Sequence, residues 1–521
     1  MAGVILLQDE EARNEPAPTT LTTSAVTGPP QQLQVSDGAG VLATLTVGAK
    51  TVTMRGASRT FTEQKRPFVD AFTRTVSNGF GLSPGGGQWL NLAGSDASFS
   101  VNGTQGLVLL DVANVGRYAS INDGDIADVS VTGTFTLDKL PTGASASVAL
   151  TFGYQDSSNH YRARLLFNTT GTVQAALESV SGGTTTTLGA ATSVGSGFVA
   201  NQLWHVRAER AGTTIRCRAW KDGTAEPGTW TFSVTDTTFP TGRVGIRSLA
   251  STGITNLPVN AVVDDFTVSS ATWAHPPVVT HNTWVRTLTA PFNGTWTTAL
   301  ADQIRRWAID TTPDALAYAM MFTTFAPAVT SAAFSGAQVM GQAQYGPIAA
   351  DGTRIEFSDW NDYIGVAWDF PNGEHRDFPH GSITTSGGMD CSGFVRMVYG
   401  RCMGLPMVFD SNFDGINLPR RTMNMGPSGP GIIVQQGTGT APSLAGIQVG
   451  DVVFFDADNS EPVEGQIDHC GIYLGLGSNG NYRFISSRKT VSGPTFADLG
   501  GPSILNGTGT YATRLRTIRR F

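Results

Sequence analysis

Between residues 146 and 219, apolar side chains recur at every second position. Ala146, Val148, Leu150 and Phe152 form one such row, and Tyr161, Ala163, Leu165 and Phe167 a second. Trp204, Val206 and Ala208 form a third, and Ile215, Cys217 and Ala219 a fourth. The residues between them are mostly polar, charged or small. A period of two sends successive side chains to opposite faces of a strand, so each row predicts a strand with one face on a core. Turn words such as Lys221-Asp222-Gly223 separate the strands. Strands at this spacing across residues 67–270 predict a two-sheet sandwich.

The pattern changes on either side. Residues 1–66 have a Pro/Thr/Gly-rich start and then alternating segments, Val41–Val47 and Thr51–Met54. They read as a small β arm, a docking segment whose apolar face needs a neighbour to cover it. After Trp273-Ala274-His275-Pro276-Pro277 the period becomes helical. Leu300, Ile304, Trp307 and Ala308 fall on one helix face, and Asp314–Met321, preceded by Pro313, reads as a second helix. Residues 271–344 are thus a helical connector, and the Met320-Met321 pair is packing. Residues 345–521 hold a further domain of mixed helix and strand.

Composition narrows the function classes. Charged residues make up 14% of the chain, glycines number 62, and the net charge is −7 with no basic block. Nucleic acid is excluded as a partner on charge. No apolar run approaches the ~20 residues of a membrane span. The Met1–Glu11 segment has no basic start and a short apolar run, so no export signal is expected. The four cysteines give no disulfide framework. Cys402 lies one helical stretch beyond Cys391, roughly 16 Å along an axis, too far to bridge it. No ligand spacing calls for a metal or a cofactor. Asp264 and Asp265 read as a solvated strand end, and Trp89, Trp204, Trp220 and Trp230 as packing residues.

One pair of segments names a reaction. Met389-Asp390-Cys391-Ser392-Gly393 places a thiol at a turn that opens the apolar helix Phe394–Tyr399. Asp468-His469-Cys470-Gly471-Ile472 places an imidazole at the head of a strand. A helix N-terminus favours the thiolate. An imidazole within reach does the same and protonates a leaving amine. Gly393 lets substrate backbone come near the thiol. Alternation sends Cys470 to the face opposite His469, into the core.

These words resemble the NlpC-type cell-wall peptidases, papain-like cysteine endopeptidases of bacterial peptidoglycan. The match runs in order through Asp390–Val395, Leu418-Pro419-Arg420-Arg421-Thr422, Val449–Phe455 and His469–Gly475, and covers residues 345–521. It implies a central antiparallel sheet with the Cys391 helix packed on it. It also implies cleavage of a stem-peptide amide, commonly between D-glutamate and a diamino acid. Carried over residue by residue, Cys391 is the nucleophile and His469 the base. Asp390, Ser392 and Gly393 line the substrate cleft. The family's third, orienting residue falls on Ser486, where a His, Asn or Gln is usual. The Tyr-Trp-Gly word before the nucleophile has two counterparts, Tyr345-Gly346-Pro347 and Trp360-Asn361-Asp362-Tyr363.

Residues 67–270 resemble the concanavalin-like jelly rolls, through Phe68–Arg74, Trp89 and Val263–Val268. That family pairs its first and last strands, and many members bind glycans. The expected fold class is therefore multidomain: an all-β jelly-roll sandwich plus an α+β papain-like catalytic domain. The expected function is a peptidoglycan endopeptidase carried at a phage tail tip or in an injection particle. Its partners are bacterial peptidoglycan, other tail or particle proteins and, through the jelly roll, surface glycans. The alternative is a structural or adhesive tail-tip protein with a degenerate catalytic domain, which Ser486 favours. An acyltransferase or amidase on the same fold would use the same thiol and imidazole.

Overall fold

The computed structural model describes residues 6–7, 17–65, 67–84, 87–122, 126–349, 353–409, 414–458, 463 and 465–521. Most of the Met1–Glu11 segment lies outside them. The chain forms two units: residues 65–276 with 348–353, and residues 1–64, 277–347 and 354–521.

The first of these is the sandwich. Among the described residues, one antiparallel sheet has nine strands and the other seven. The four alternating rows lie on four of these strands, Ala146–Asp156, Asn159–Phe167, Trp204–Ala211 and Thr214–Lys221. Every residue of those rows is at most 5% exposed and belongs to one apolar core. Phe68–Asp70 pairs with Val259–Trp273, so the ends of the unit meet in one ladder. Trp89 and Trp204 are buried in that core. Trp89 also donates Nε1–H to Asp70 at 2.8 Å, and Asp70 is paired with Arg74. Trp220 stacks on His205, and Trp230 lies under the Arg216 and Arg218 guanidiniums. Asp264 accepts the Asp265 N–H, and no metal-holding cluster is present among the described residues.

In the second unit the arm and the connector share a sheet. The arm strands Gln32–Asp37, Gly40–Thr46 and Thr51–Thr62 run as a meander, and the connector strand Val278–Thr287 pairs along Thr51–Thr62. Helix Thr298–Ala308, capped by Thr297, lays Ile304 on the arm's apolar face with Trp284 and Phe292. The neighbour that the alternating arm needed is thus supplied by the connector. Asp314 caps helix Ala315–Met320 and is fully buried. It accepts both Arg59 Nη groups, at 2.7 and 2.6 Å, and the Val285 N–H at 2.7 Å. Such a charge survives burial because each oxygen is paired.

The arm is also bonded to the C-terminal part. Thr51 donates its N–H and Oγ–H to the Phe521 carbonyl, and Arg520 donates to Thr46 Oγ1 at 2.8 Å. Glu63 accepts from Thr495 Oγ1 and Phe496 N. The C-terminal sheet is antiparallel, in the order Ile432–Gln436, Leu515–Arg520, Val452–Phe455, His469–Leu476, Tyr482–Arg488, Gly493–Thr495. Helix Cys391–Val395 packs on it and continues as a π-helical turn, Arg396–Cys402.

Candidate active site

Alternation along Val452–Phe455 and His469–Leu476 splits the sheet into two apolar faces. Phe454, Cys470 and Ile472 join the core that contains Cys391 and Phe394. Phe455, which pairs with His469 across the ladder, joins a second core with Phe484 and Tyr511. The Cys391 helix lies over the first face, at the end of the sheet where His469 begins its strand.

Asp390 is the N-cap. Its Oδ1 accepts the Gly393 N–H at 2.7 Å and the Ser392 hydroxyl at 3.1 Å, satisfying groups the first helical turn would leave open. Gly393 is required by close approach: a Cβ there would stand 2.5 Å from the Ser358 carbonyl oxygen. The cysteine thus opens its helix against a fixed cap and an adjoining backbone.

The Cys391 thiol is 5% exposed and donates to the Asp468 carbonyl at 3.7 Å. The influence of the Cys470 side chain and then of His469, with the imidazole's charge, brings its pKa down to about 6 against the pull of burial. His469 is thus one of the groups that act on the thiol, and Cys470, in the same buried core as Cys391, is another.

Ser486 does not make the expected contact. His469 Nε2 is buried without a hydrogen-bond partner among the described residues. The Ser486 hydroxyl instead accepts Arg488 Nε–H at 3.1 Å. The reason is the guanidinium. Arg488 is buried over the Tyr511 ring at 4.4 Å, and its other nitrogens go to Leu499 O, Gly501 O and Ser503 Oγ. The short serine hydroxyl supplies the acceptor that Nε needs. The imidazole is held by rings instead, 5.3 Å from Tyr511 and 5.9 Å from Phe455.

Three further residues reach the site. Arg420 is buried and donates to Asp390 Oδ2 at 2.7 Å and to Ser392 Oγ at 2.6 Å. It also lies 3.7 Å from Asp359, which pairs with Arg396. Asp390 and Ser392 are thus fixed by a cation from the Leu418–Thr422 word, a role the sequence did not disclose. Tyr345 is buried; burial and then the charges of Cys391 and Asp390 hold its phenol well above the usual value. Trp360, in helix Trp360–Ile364, packs on Trp368 and belongs to the same core as Cys391. Asp468 is raised to about 6 by burial, although it accepts the Ala457 and Asp458 N–H groups.

A cleft of about 630 Å³ adjoins Arg420. Its wall carries Arg354, Arg376, His380, Arg421 and Lys489, with Glu356 as its acid. Electrostatically it suits an anionic ligand.

Residues 375–499 match the model of the NlpC/P60 family. The chain carries an NlpC/P60 domain. That stretch contains Cys391, His469 and Ser486. Among curated proteins nothing matches the chain. Solved structures similar to part of it include a carbohydrate-binding module, CBM66, from Bacillus subtilis, at 14% identity over 35% of this chain and 95% of that one, with a TM-score of 0.25. The Bacillus licheniformis β-glucanase is 14% identical over 40% of this chain and 99% of its own, with a TM-score of 0.29. A β-1,3-glucanase from Mycobacterium marinum is 13% identical over 39% and 97%, with a TM-score of 0.27. Likeness at this level carries no activity with it.

Proposed function

We propose that the protein is a peptidoglycan stem-peptide endopeptidase acting through Cys391 and His469. The observation that carries this reading is the placement of Cys391 at a capped helix start, packed on the strand that His469 opens, and the lowering of its thiol to about 6 by Cys470 and His469 supports it. The NlpC/P60 match supports a cell-wall peptidase type of activity. In this reading the Cys391 thiolate attacks the amide carbonyl, and the oxyanion develops near the Cys391–Ser392 backbone. The C–N bond breaks as His469 gives its proton to the leaving amine. Water, losing a proton to His469, then hydrolyses the thioester and restores the thiol. Asp390, Ser392 and Gly393 are buried and fix the start of the Cys391 helix, with Arg420 holding Asp390 and Ser392 from the edge of the cleft. The basic cleft supports a substrate rich in carboxylates, as stem peptides are.

Purified protein incubated with defined muropeptides, with products read by mass, tests the reading. Wild-type protein is expected to release two fragments from one stem-peptide amide, and Cys391→Ala protein none. Intact muropeptide after prolonged incubation with wild type would favour a second reading, an adhesive protein with an inactive domain. The unpartnered His469 Nε2 is the observation on its side. For the setting, we propose carriage on a phage tail or injection particle, with surface glycans as a second ligand through the sandwich. Both rest on the sequence, and proteomics of purified virions and glycan binding by residues 65–276 test them.

A further inference from the structure

Two independent features meet at His469: a polar atom without a partner, and rings packed against the imidazole. Nε2 of His469 is buried without a hydrogen-bond partner among the described residues. Ser486, the position from which the resemblance would supply one, turns its hydroxyl to Arg488 instead. The imidazole nevertheless has walls. The Tyr511 ring lies 5.3 Å from it at an interplanar angle of 34°, and the Phe455 ring 5.9 Å away at 35°. Phe455 pairs with His469 across the ladder, from the neighbouring strand. Tyr511 comes from elsewhere, on the short helix Thr510–Arg514 that leads into the last strand.

Tyr511 is itself held from several sides. Phe484 meets its ring edge-on at 5.3 Å and Phe455 at 5.2 Å, and all three belong to one core. The Arg488 guanidinium stands 4.4 Å from the ring centroid. Arg488 is buried, and each of its side-chain nitrogens donates to a neutral oxygen: Nε to Ser486 Oγ, Nη1 to Leu499 O and Gly501 O, Nη2 to Ser503 Oγ. No carboxylate takes up its charge in these bonds, so the negative faces of the Tyr511 and Phe484 rings are its electrostatic partners. A Cβ at Gly501 would come within 3.3 Å of Tyr511 Cε2, so this loop closes on the ring as well. An imidazole without an acceptor at Nε2 can still be kept from turning about its Cβ–Cγ bond when rings flank it and those rings are locked by packing.

We propose that Tyr511 is the positioning residue of His469, doing by ring packing what a polar third residue does by a hydrogen bond. The inference rests on His469 being the base of the proposed function, and one arm of its test needs no substrate. In that arm the full chain is treated with iodoacetamide at about pH 7, and the Cys391 peptide is read by mass spectrometry. His469→Ala is expected to slow alkylation of Cys391, because the imidazole no longer draws off its proton. Tyr511→Leu is expected to slow it in the same direction, and Tyr511→Phe to recover most of the wild-type rate. In the second arm, Tyr511→Leu should lower kcat on a muropeptide about ten- to a hundredfold with KM little changed, since a displaced base costs turnover and not binding. Tyr511→Phe keeps the ring and should restore most of kcat. Where Tyr511→Leu does not fold, Tyr511→Met fills the space without a ring and carries the same expectation.

A folded Tyr511→Leu or Tyr511→Met protein with wild-type alkylation and kcat overturns the proposal. A Tyr511→Phe protein as slow as the leucine one does so too, since the hydroxyl and not the ring would then be the part that matters. So does a loss confined to KM, which marks contact with substrate. If His469→Ala alkylates at the wild-type rate, the imidazole does nothing at the thiol and the proposal falls with it. Variants that alkylate as expected, beside a wild type that cuts no muropeptide, leave the positioning role standing and remove the peptidase reading alone.

Discussion

Cys391→Ala is expected to abolish muropeptide cleavage, His469→Ala to cost about 10²–10⁴-fold in kcat/KM, and Cys402→Ala to leave most activity. Ser486→Ala belongs to a different class. Its hydroxyl serves Arg488, so the loss should appear as stability, about 1–3 kcal/mol from a denaturant midpoint, with kcat little changed. A large fall in kcat for Ser486→Ala would return it to the reaction. On the acid side kcat/KM should drop about tenfold per unit below pH 6, as the thiolate is lost. Asp468 gives a separate signature. Its folded carboxyl is raised, so the folded state holds more protons than the unfolded one from its ordinary range up to about 6. Stability should therefore fall with rising pH in that window, and Asp468→Asn should flatten the slope. At this scale Cys391 and His469 were legible because fixed words surround them. Cys470, Arg420 and Tyr511 were not, because their contacts cross elements far apart in the chain. Cys470 is the instructive case: alternation correctly sent it to the core, but the period does not say which helix covers that core.

Local elements followed their rules more openly. Helix Thr298–Ala308 lies where the apolar spacing placed it, and Thr297 and Asp314 are ordinary N-caps. What an element's own pattern leaves out is its partner. Thr51–Met54 was readable as part of a strand, but its continuation to Thr62 was not, and the neighbour of that strand, Val278–Thr287, lies beyond the whole sandwich in sequence. Arg59 and Asp314 show the energetic consequence. Asp314→Ala strips a fully buried guanidinium of its carboxylate and removes the acceptor of the Val285 and Ala317 N–H groups. Breaking such a pair costs about 3–5 kcal/mol. Urea unfolding of the full chain followed by a probe in residues 277–347 should show this loss. A midpoint within error of wild type would mean that the pair does not tie the arm to the connector.

For the whole molecule, the ladder between Thr51–Thr62 and Val278–Thr287 sets the modularity. Thr62 and Val278 are directly opposite each other, and everything from Lys65 to Pro276 leaves and returns between them. In sequence, the sandwich is therefore inserted between two paired strands of the other unit. Its own ends are held together by the Phe68–Asp70 and Val259–Trp273 pairing. Closely spaced ends of this kind allow a domain to be removed without moving its host. Replacing residues 65–276 by a short Asn-Gly turn should restore a plain hairpin. Glu63, the arm's contacts with Thr495 and Phe521, and the Cys391 site all stay in the shortened chain. It is expected to be soluble, to unfold in one cooperative transition and to retain muropeptide turnover, while residues 65–276 fold alone as a sandwich. Deleting residues 1–64 should do the opposite, since it strips the C-terminal sheet of its buried partners at Arg520 and Phe521. An excised chain that aggregates, beside an arm-less chain that folds and cuts, would show that the arm does not belong with the peptidase.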